Sequence, residues 1–324
     1  MSDSGMTRRE FLAAGAAGVG MLALGKAFAQ GEPTGGKSTV VRVLRPEAFA
    51  NWELPQQTVT DMVHTAVKRL AGEDDLRAAW LKFVGPDDVV GLKINCLFGP
   101  GASTHMEVVQ AVIAGCRAVG VPPEHIIVWD RTTGDMTKTG YPVVREGEGV
   151  RFYGTDGFYE PNASVEGSFN GRLSQILTRT TTALINLPVL KTHGTSGITG
   201  ALKNHYGSFH NPASHHDNYC DPFIADVNSL PVIREKTRLI VMDALLPIAE
   251  GGPAAKPAMT WPYGGILAAT DPVAIDFLGL QILEARRQAI GLGPIGQQAR
   301  HIATAAAKGV GTNDPARIDL IELS

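Results

Sequence analysis

The chain has 324 residues, 44% of them hydrophobic and 19% charged. That is an ordinary globular composition with length enough for a large buried core. A net charge of -3, with no interleaving of aromatic and basic residues, argues against nucleic acid or an anionic membrane surface as partner.

Residues 1–29 read as a twin-arginine signal peptide. "TRREFL" (7–12) supplies the arginine pair, "AAGAAGVGMLALG" (13–25) a weakly apolar run, Lys26 a late basic residue, and "AFA" (27–29) the small residues a signal peptidase needs. The run is too short and too glycine-rich for a stable span. The mature chain is expected in the periplasm after passage through the Tat translocase, with no membrane span once the signal is removed. Residues 30–38 read as a flexible leader and 39–324 as one α/β domain, or two closely joined lobes.

In chain order, "TVVRVLR" (39–45) predicts a strand. Residues 58–72 and 75–84 predict helices, the first ending on Gly72. "DVVGLKINCLF" (88–98) predicts a strand, "GPGAST" (99–104) a loop, 105–119 a helix and "HIIVWDR" (125–131) a strand. The next thirty or so residues are rich in turn formers and predict peripheral loops with one strand around "VRFYG". "ALINLPVL" (183–190) and "RLIVMDALLPI" (238–248) predict buried strands. Residues 264–288 end in a long helix and "IDLIEL" (318–323) closes the chain. Alternation of this kind predicts a mainly parallel sheet covered by helices.

In such sheets the carboxyl ends of strands line the ligand crevice. Polar residues at four strand ends are therefore site candidates: Lys93 and Asn95, Asp130, Lys191 with His193, and Asp243. "LPVLKTHGTSGITGALKNHYG" (187–207) is the densest stretch, adding Lys203, Asn204 and His205. Its glycines and two lysines suit an anion cradle. Downstream, "HHDNYCDPFIAD" (215–226) brings two adjacent histidines and Cys220. His193, His216 and Cys220 form a candidate transition-metal set. A substrate loop with a histidine acid or base fits the same residues equally well, and a solvated polar loop remains open. His215 and His216, being adjacent, cannot easily serve one centre together. Asp271 before Pro272 reads first as a helix cap, and also as a residue facing the crevice.

Three cysteines without a C-x-x-C pair make an iron–sulfur cluster unlikely. Cys116 falls on an apolar helical face and reads as a core thiol. No G-x-S-x-G elbow, H-E-x-x-H helix or Walker loop is present.

The blocks "VGLKINC", "IIVWD", "INLPVLKTHGTSGITGALKNHYG" and "GGILAATDPVAIDFLG" resemble those of the domain of unknown function 362 family, over about residues 85–285. The Tat signal and the "HHDNYCDP" segment resemble an exported branch of it. Many members carry appended iron–sulfur segments, whose cysteine motifs this chain lacks. The resemblance matches Lys93, Asn95, Lys191, His193, Lys203, Asn204 and Asp271 to motif positions, without roles. The expectation is an enzyme acting on a small anionic substrate, with Lys191, His193 and Lys203 catalytic and Lys93, Asn95, Asp130, Asn204, Asp243 and Asp271 binding. The alternative is a non-catalytic ligand- or metal-binding or maturation protein using the same cleft.

Overall fold

The computed structural model describes residues 36–324; the predicted signal peptide and most of the leader lie outside them. The described residues hold twelve strands: β1 (Ser38–Leu44), β2 (Val90–Lys93), β3 (Ile126–Trp129), β4 (Arg151–Phe152), β5 (Ser164–Glu166), β6 (Phe169–Gly171), β7 (Ala183–Asn186), β8 (Val189–His193), β9 (Gly197–Thr199), β10 (Thr237–Ile248), β11 (Gly265–Ala269) and β12 (Ile318–Leu323). Ten of them form one sheet, ordered β12-β1-β11-β10-β7-β2-β3-β4, with β8 also on β10 and β9 on β8; β5 and β6 make a separate hairpin. Along that path only β11 runs antiparallel to its neighbours.

Alternation along the strands splits the core between the two faces. On β10, Leu239 and Val241 point to one face, Ile240 and Met242 to the other. The first face is covered by α1 (Gln56–Ala71), α2 (Leu76–Leu81) and α3 (Met106–Ala118). In α1 the buried Val59, Met62, Val63, Ala66 and Val67 recur at helical spacing. Gly72 then adopts φ 67° and closes the helix, its N–H reaching Arg69 and Lys68 carbonyls. The short α4 (Thr133–Lys138) follows β3. On the other face lie α5 (Ala201–Asn204), α6 (Phe223–Ser229), α7 (Pro231–Lys236), α8 (Pro272–Ala289) and α9 (His301–Ala307). No described helix is long and apolar enough to cross a membrane.

Two departures from the sequence reading matter for the site. The strand expected over 183–190 is broken at Leu187–Pro188. β7 pairs with the first half of β10, and β8 restarts on the second half, Val189 opposite Asp243 and Lys191 opposite Ile248. This break carries Lys191 and His193 beyond the main sheet edge, into a hairpin with β9. The second departure is β11, which the sequence reading did not resolve as a strand. Because it runs backwards, its carboxyl end lies at the amino edge of the parallel strands.

Candidate functional site

At the carboxyl edge of the sheet, β2 and β3 end side by side, Lys93 opposite Trp129. Lys93 is fully buried and donates to Asp130 Oδ1 at 2.7 Å and to the Ile94 carbonyl at 2.6 Å. Asp130 also accepts from the Cys96 N–H (2.8 Å), the Cys96 thiol (3.1 Å) and the Arg131 N–H (2.8 Å). Its oxygens are thus engaged by protein donors, so it anchors the edge instead of facing a ligand. Burial, and then the negative Asp130, push the Cys96 thiol far up, which keeps it a thiol donor.

The chain returns to this edge through α5. Its first N–H groups, of Ala201 and Leu202, donate to the buried Asp276 carboxylate of α8 at 2.6 and 3.0 Å. Burial raises Asp276 to about 7, against the pull of those two N–H groups. A Cβ on Gly200 would lie 2.2 Å from Asp276 Oδ1, so glycine is required for this close approach. The turn so fixed projects Lys203 and Asn204 inward. Asn204 donates to the Lys93 carbonyl (3.1 Å) and to Asn186 Oδ1 (2.7 Å). Its own Oδ1 accepts from Lys93 (3.4 Å) and Asn95 (3.3 Å). Asn95 Oδ1 in turn accepts from Lys191 Nζ at 2.8 Å, and Lys191 also donates to the Ala102 carbonyl. One polar network thus runs Asp130–Lys93–Asn204–Asn95–Lys191.

Gly207 closes the same network from above. A Cβ there would meet Asp130 Oδ1 at 2.3 Å and Lys93 Nζ at 2.6 Å. Gly207→Ala is expected to lose about 1–3 kcal/mol through overpacking, read as a lower urea midpoint at unchanged slope.

Lys203 enters a second cluster. Its Nζ lies 3.4 Å from His216 Nε2, 3.6 Å from Cys220 Sγ and 3.5 Å from the centre of the Tyr206 ring. The His216 ring stands 5.9 Å from that of His193. The two imidazoles have opposite hydrogen-bonding sense. Thr195 and Ser196 N–H groups donate to His193 Nδ1 at 3.1 and 3.2 Å, so the neutral ring carries its proton on Nε2. His216 Nδ1 donates to the Pro212 carbonyl at 2.8 Å, leaving Nε2 as an acceptor. Burial, then Lys203, His216, Lys191 and His301, push His193 down to about 2, so it is neutral at any working pH. Burial pulls Lys191 to about 7 and Lys203 to about 8.

The loop that delivers Cys220 is strained. Asn218, Tyr219 and Cys220 take φ of 51°, 62° and 62° in succession, a left-handed run that costs non-glycine residues energy. Arg300 fastens it, donating to Asn218 Oδ1 at 2.9 Å and stacking on the Tyr219 ring at 4.5 Å. Next to Arg300, His301 is fully buried, and neither ring nitrogen has a partner among the described residues. Burial and the charge of Lys203 lower it to about 3. The sequence reading missed His301: it sits on a separate helix, roughly a hundred residues beyond Lys203, in no motif.

The other predicted residues separate. His215 is packed against Phe169, Phe209 and Phe223, while His216 faces Lys203. Asp243 is buried and accepts from the His105 N–H (2.7 Å) and ring Nδ1 (2.8 Å), locking the start of α3. Asp271 caps α8 through the Val273 and Ala274 N–H groups and ties Ser38 and Thr312 to it. Because β11 is reversed, Asp271 lies at the opposite sheet edge from Lys93 and Lys191. Among the described residues no three His, Cys, Asp or Glu side chains form a metal-ligating group. Of the proposed metal set, Lys203 Nζ sits against both His216 Nε2 and Cys220 Sγ, and His193 presents an N–H where a ligand needs a lone pair. The three cysteines are buried free thiols, so Cys96 and Cys220 are not paired.

A mainly parallel α/β sheet, with a network of buried lysines and asparagines at its carboxyl edge, defines the class of protein. The chain belongs to the DUF362 family, a domain of unknown function, whose model matches residues 90–281. No curated protein matches it. A crystal structure of a Thermotoga maritima protein is similar over 74% of this chain and 60% of its own length, at 12% identity and a TM-score of 0.44. The chain therefore spans less than two thirds of that relative.

Proposed function

We propose that this is an exported enzyme acting on a small anionic substrate held by Lys191 and Lys203. One imbalance carries the reading: three buried lysines share a single carboxylate. Asp130 is bonded to Lys93. It acts on Lys191 only from a distance, and no carboxylate raises Lys203. Buried charges normally have counter-ions, and among the described residues neither lysine is in an ion pair with a carboxylate. A bound anion would supply the missing charge and hold both amines as ammonium. His193 Nε2–H and the His216 lone pair add a donor and an acceptor beside them, as proton transfer requires. The twin-arginine reading of residues 1–29 supports folding before export and work in the periplasm.

The test is calorimetric titration with oxalate, pyruvate and phosphate across pH. An anion that needs both ammonium groups raises their pKa values and takes up protons on binding. Affinity should therefore be highest below about 7 and fall as pH rises through about 8. Affinity independent of pH, or no binding by any probe, would overturn the reading. Binding and thermal stabilisation without turnover on a panel of small acids would favour a ligand-carrying protein using the same lysines.

A further inference from the structure

Building on the anion reading, we propose that Lys203 is a carbonyl-condensing amine: the site takes small carboxylates that also bear an aldehyde or ketone, and Lys203 Nζ closes an imine with that carbonyl.

The observation is the company Lys203 keeps. Among the described residues the other buried lysines, and the half-buried Lys236, are held by oxygen. Lys93 has a carboxylate and a carbonyl. Lys191 has an amide oxygen and a carbonyl. Lys236 donates to the carbonyls of Leu177, Thr178 and Thr181 at 2.7, 3.1 and 2.7 Å. Among the described residues Lys203 has no oxygen acceptor: its neighbours are an imidazole nitrogen, a cysteine sulfur and the face of a phenol ring. The Tyr206 face and the Cys220 sulfur partly support an ammonium, but burial opposes it more strongly, so the free base, which is the nucleophile, forms without breaking an ion pair to a carboxylate. Lys203 keeps a sliver of exposure (5%), whereas Lys93 and Lys191 keep none.

The surrounding groups match the needs of that condensation. His193, fixed as a neutral ring with its proton on Nε2, offers a hydrogen bond suited to a carbonyl oxygen, polarising it without donating its proton outright. Lys191 is the cation for the carboxylate. His301 is a second, independent sign of a missing partner, since both its ring nitrogens are buried without one. In the reaction, His216 Nε2 takes a proton from the Lys203 ammonium across 3.4 Å. The free amine pair attacks the carbonyl carbon, and the C=O π pair moves to oxygen. The added nitrogen gives up a proton and the oxygen gains two in all, one of them returned by His216. The C–O bond then breaks, water leaves, and the nitrogen lone pair forms the C=N bond. The net change is amine plus carbonyl to imine plus water, with no oxidant or reductant.

The experiment is reductive trapping. The mature protein is incubated with pyruvate or glyoxylate and cyanoborohydride, then analysed by intact mass and peptide mapping. The expected result is one reduced adduct per chain, on Lys203, formed faster than on any other lysine. It should be lost in Lys203→Arg, and slowed at least tenfold in His216→Gln. Oxalate, which has carboxylates but no aldehyde or ketone, should bind and block the adduct. Oxalate binding without a Lys203 adduct would sink the imine and leave the anion site standing. Neither binding nor adduct would sink both. Adducts spread over surface lysines at equal rates in wild type would also overturn the proposal, whether or not the variants fold.

Discussion

Replacing Lys93 by methionine is expected to destabilise the fold by about 3–5 kcal/mol, the usual cost of removing one partner from a buried ion pair. The charge left behind is Asp130, whose carboxylate is almost fully buried beneath Gly207. Against a total stability of about 5–15 kcal/mol, this is enough to leave a sizeable unfolded fraction on warming. Adding Asp130→Asn in the same chain should restore most of the loss. The amide oxygen can still accept from the Cys96 N–H, and no uncompensated charge remains. Urea unfolding of wild type, single and double variants gives the comparison. A single variant within about 1 kcal/mol of wild type would mean that water or a rearranged side chain neutralises Asp130.

Lys203→Met is expected to act in the opposite direction, stabilising the protein by roughly 1–3 kcal/mol while abolishing anion binding. Methionine fits the same volume, and its sulfur suits the face of Tyr206. No carboxylate is orphaned, because none is paired with Lys203. The sign follows from the lowered pKa. Folding holds Lys203 at about 8, while the unfolded side chain titrates near about 10.4. Between these values the unfolded chain binds more protons, so wild-type stability rises with pH, and the gain is lost as pH falls through about 8. In Lys203→Met that slope should shrink, leaving the contribution of Lys191, whose folded value is about 7. A variant that is destabilised, or keeps the full slope, would show that Lys203 is a structural ammonium.

These contrasts also show what could be read from the sequence. The strand-end rule located Lys93, Asn95, Asp130 and Lys191, because β2, β3 and β8 run parallel and end at one edge. Asp271 is the helix cap its place before Pro272 suggests; the alternative that it faces the crevice fails, since nothing in "GGILAATDP" signals that β11 runs backwards, and direction is set by pairing with β1 and β10. Asp243 was legible as a buried strand residue but not as the partner of His105, a contact 138 residues away in sequence. The metal reading of "HHDNYCDP" rested on residue types. What alters it is hydrogen-bond sense at His193 and the position of Lys203 Nζ, neither of which a spacing pattern encodes. His301 illustrates the same limit from the other side. A lone histidine opening a short helix carries no signal until the fold sets it beside Lys203 and His193.

The proposed function makes Lys191 and Lys203 buried amines that take up an anion. It is tested most directly by following the 13Cε resonances of labelled lysines through a pH titration, with and without saturating oxalate. The account predicts two resonances with midpoints near 7 and 8, lost respectively in Lys191→Arg and Lys203→Met, both moving upward when oxalate binds. A spectrum in which every lysine titrates at or above about 10, or in which oxalate moves neither midpoint, would contradict it.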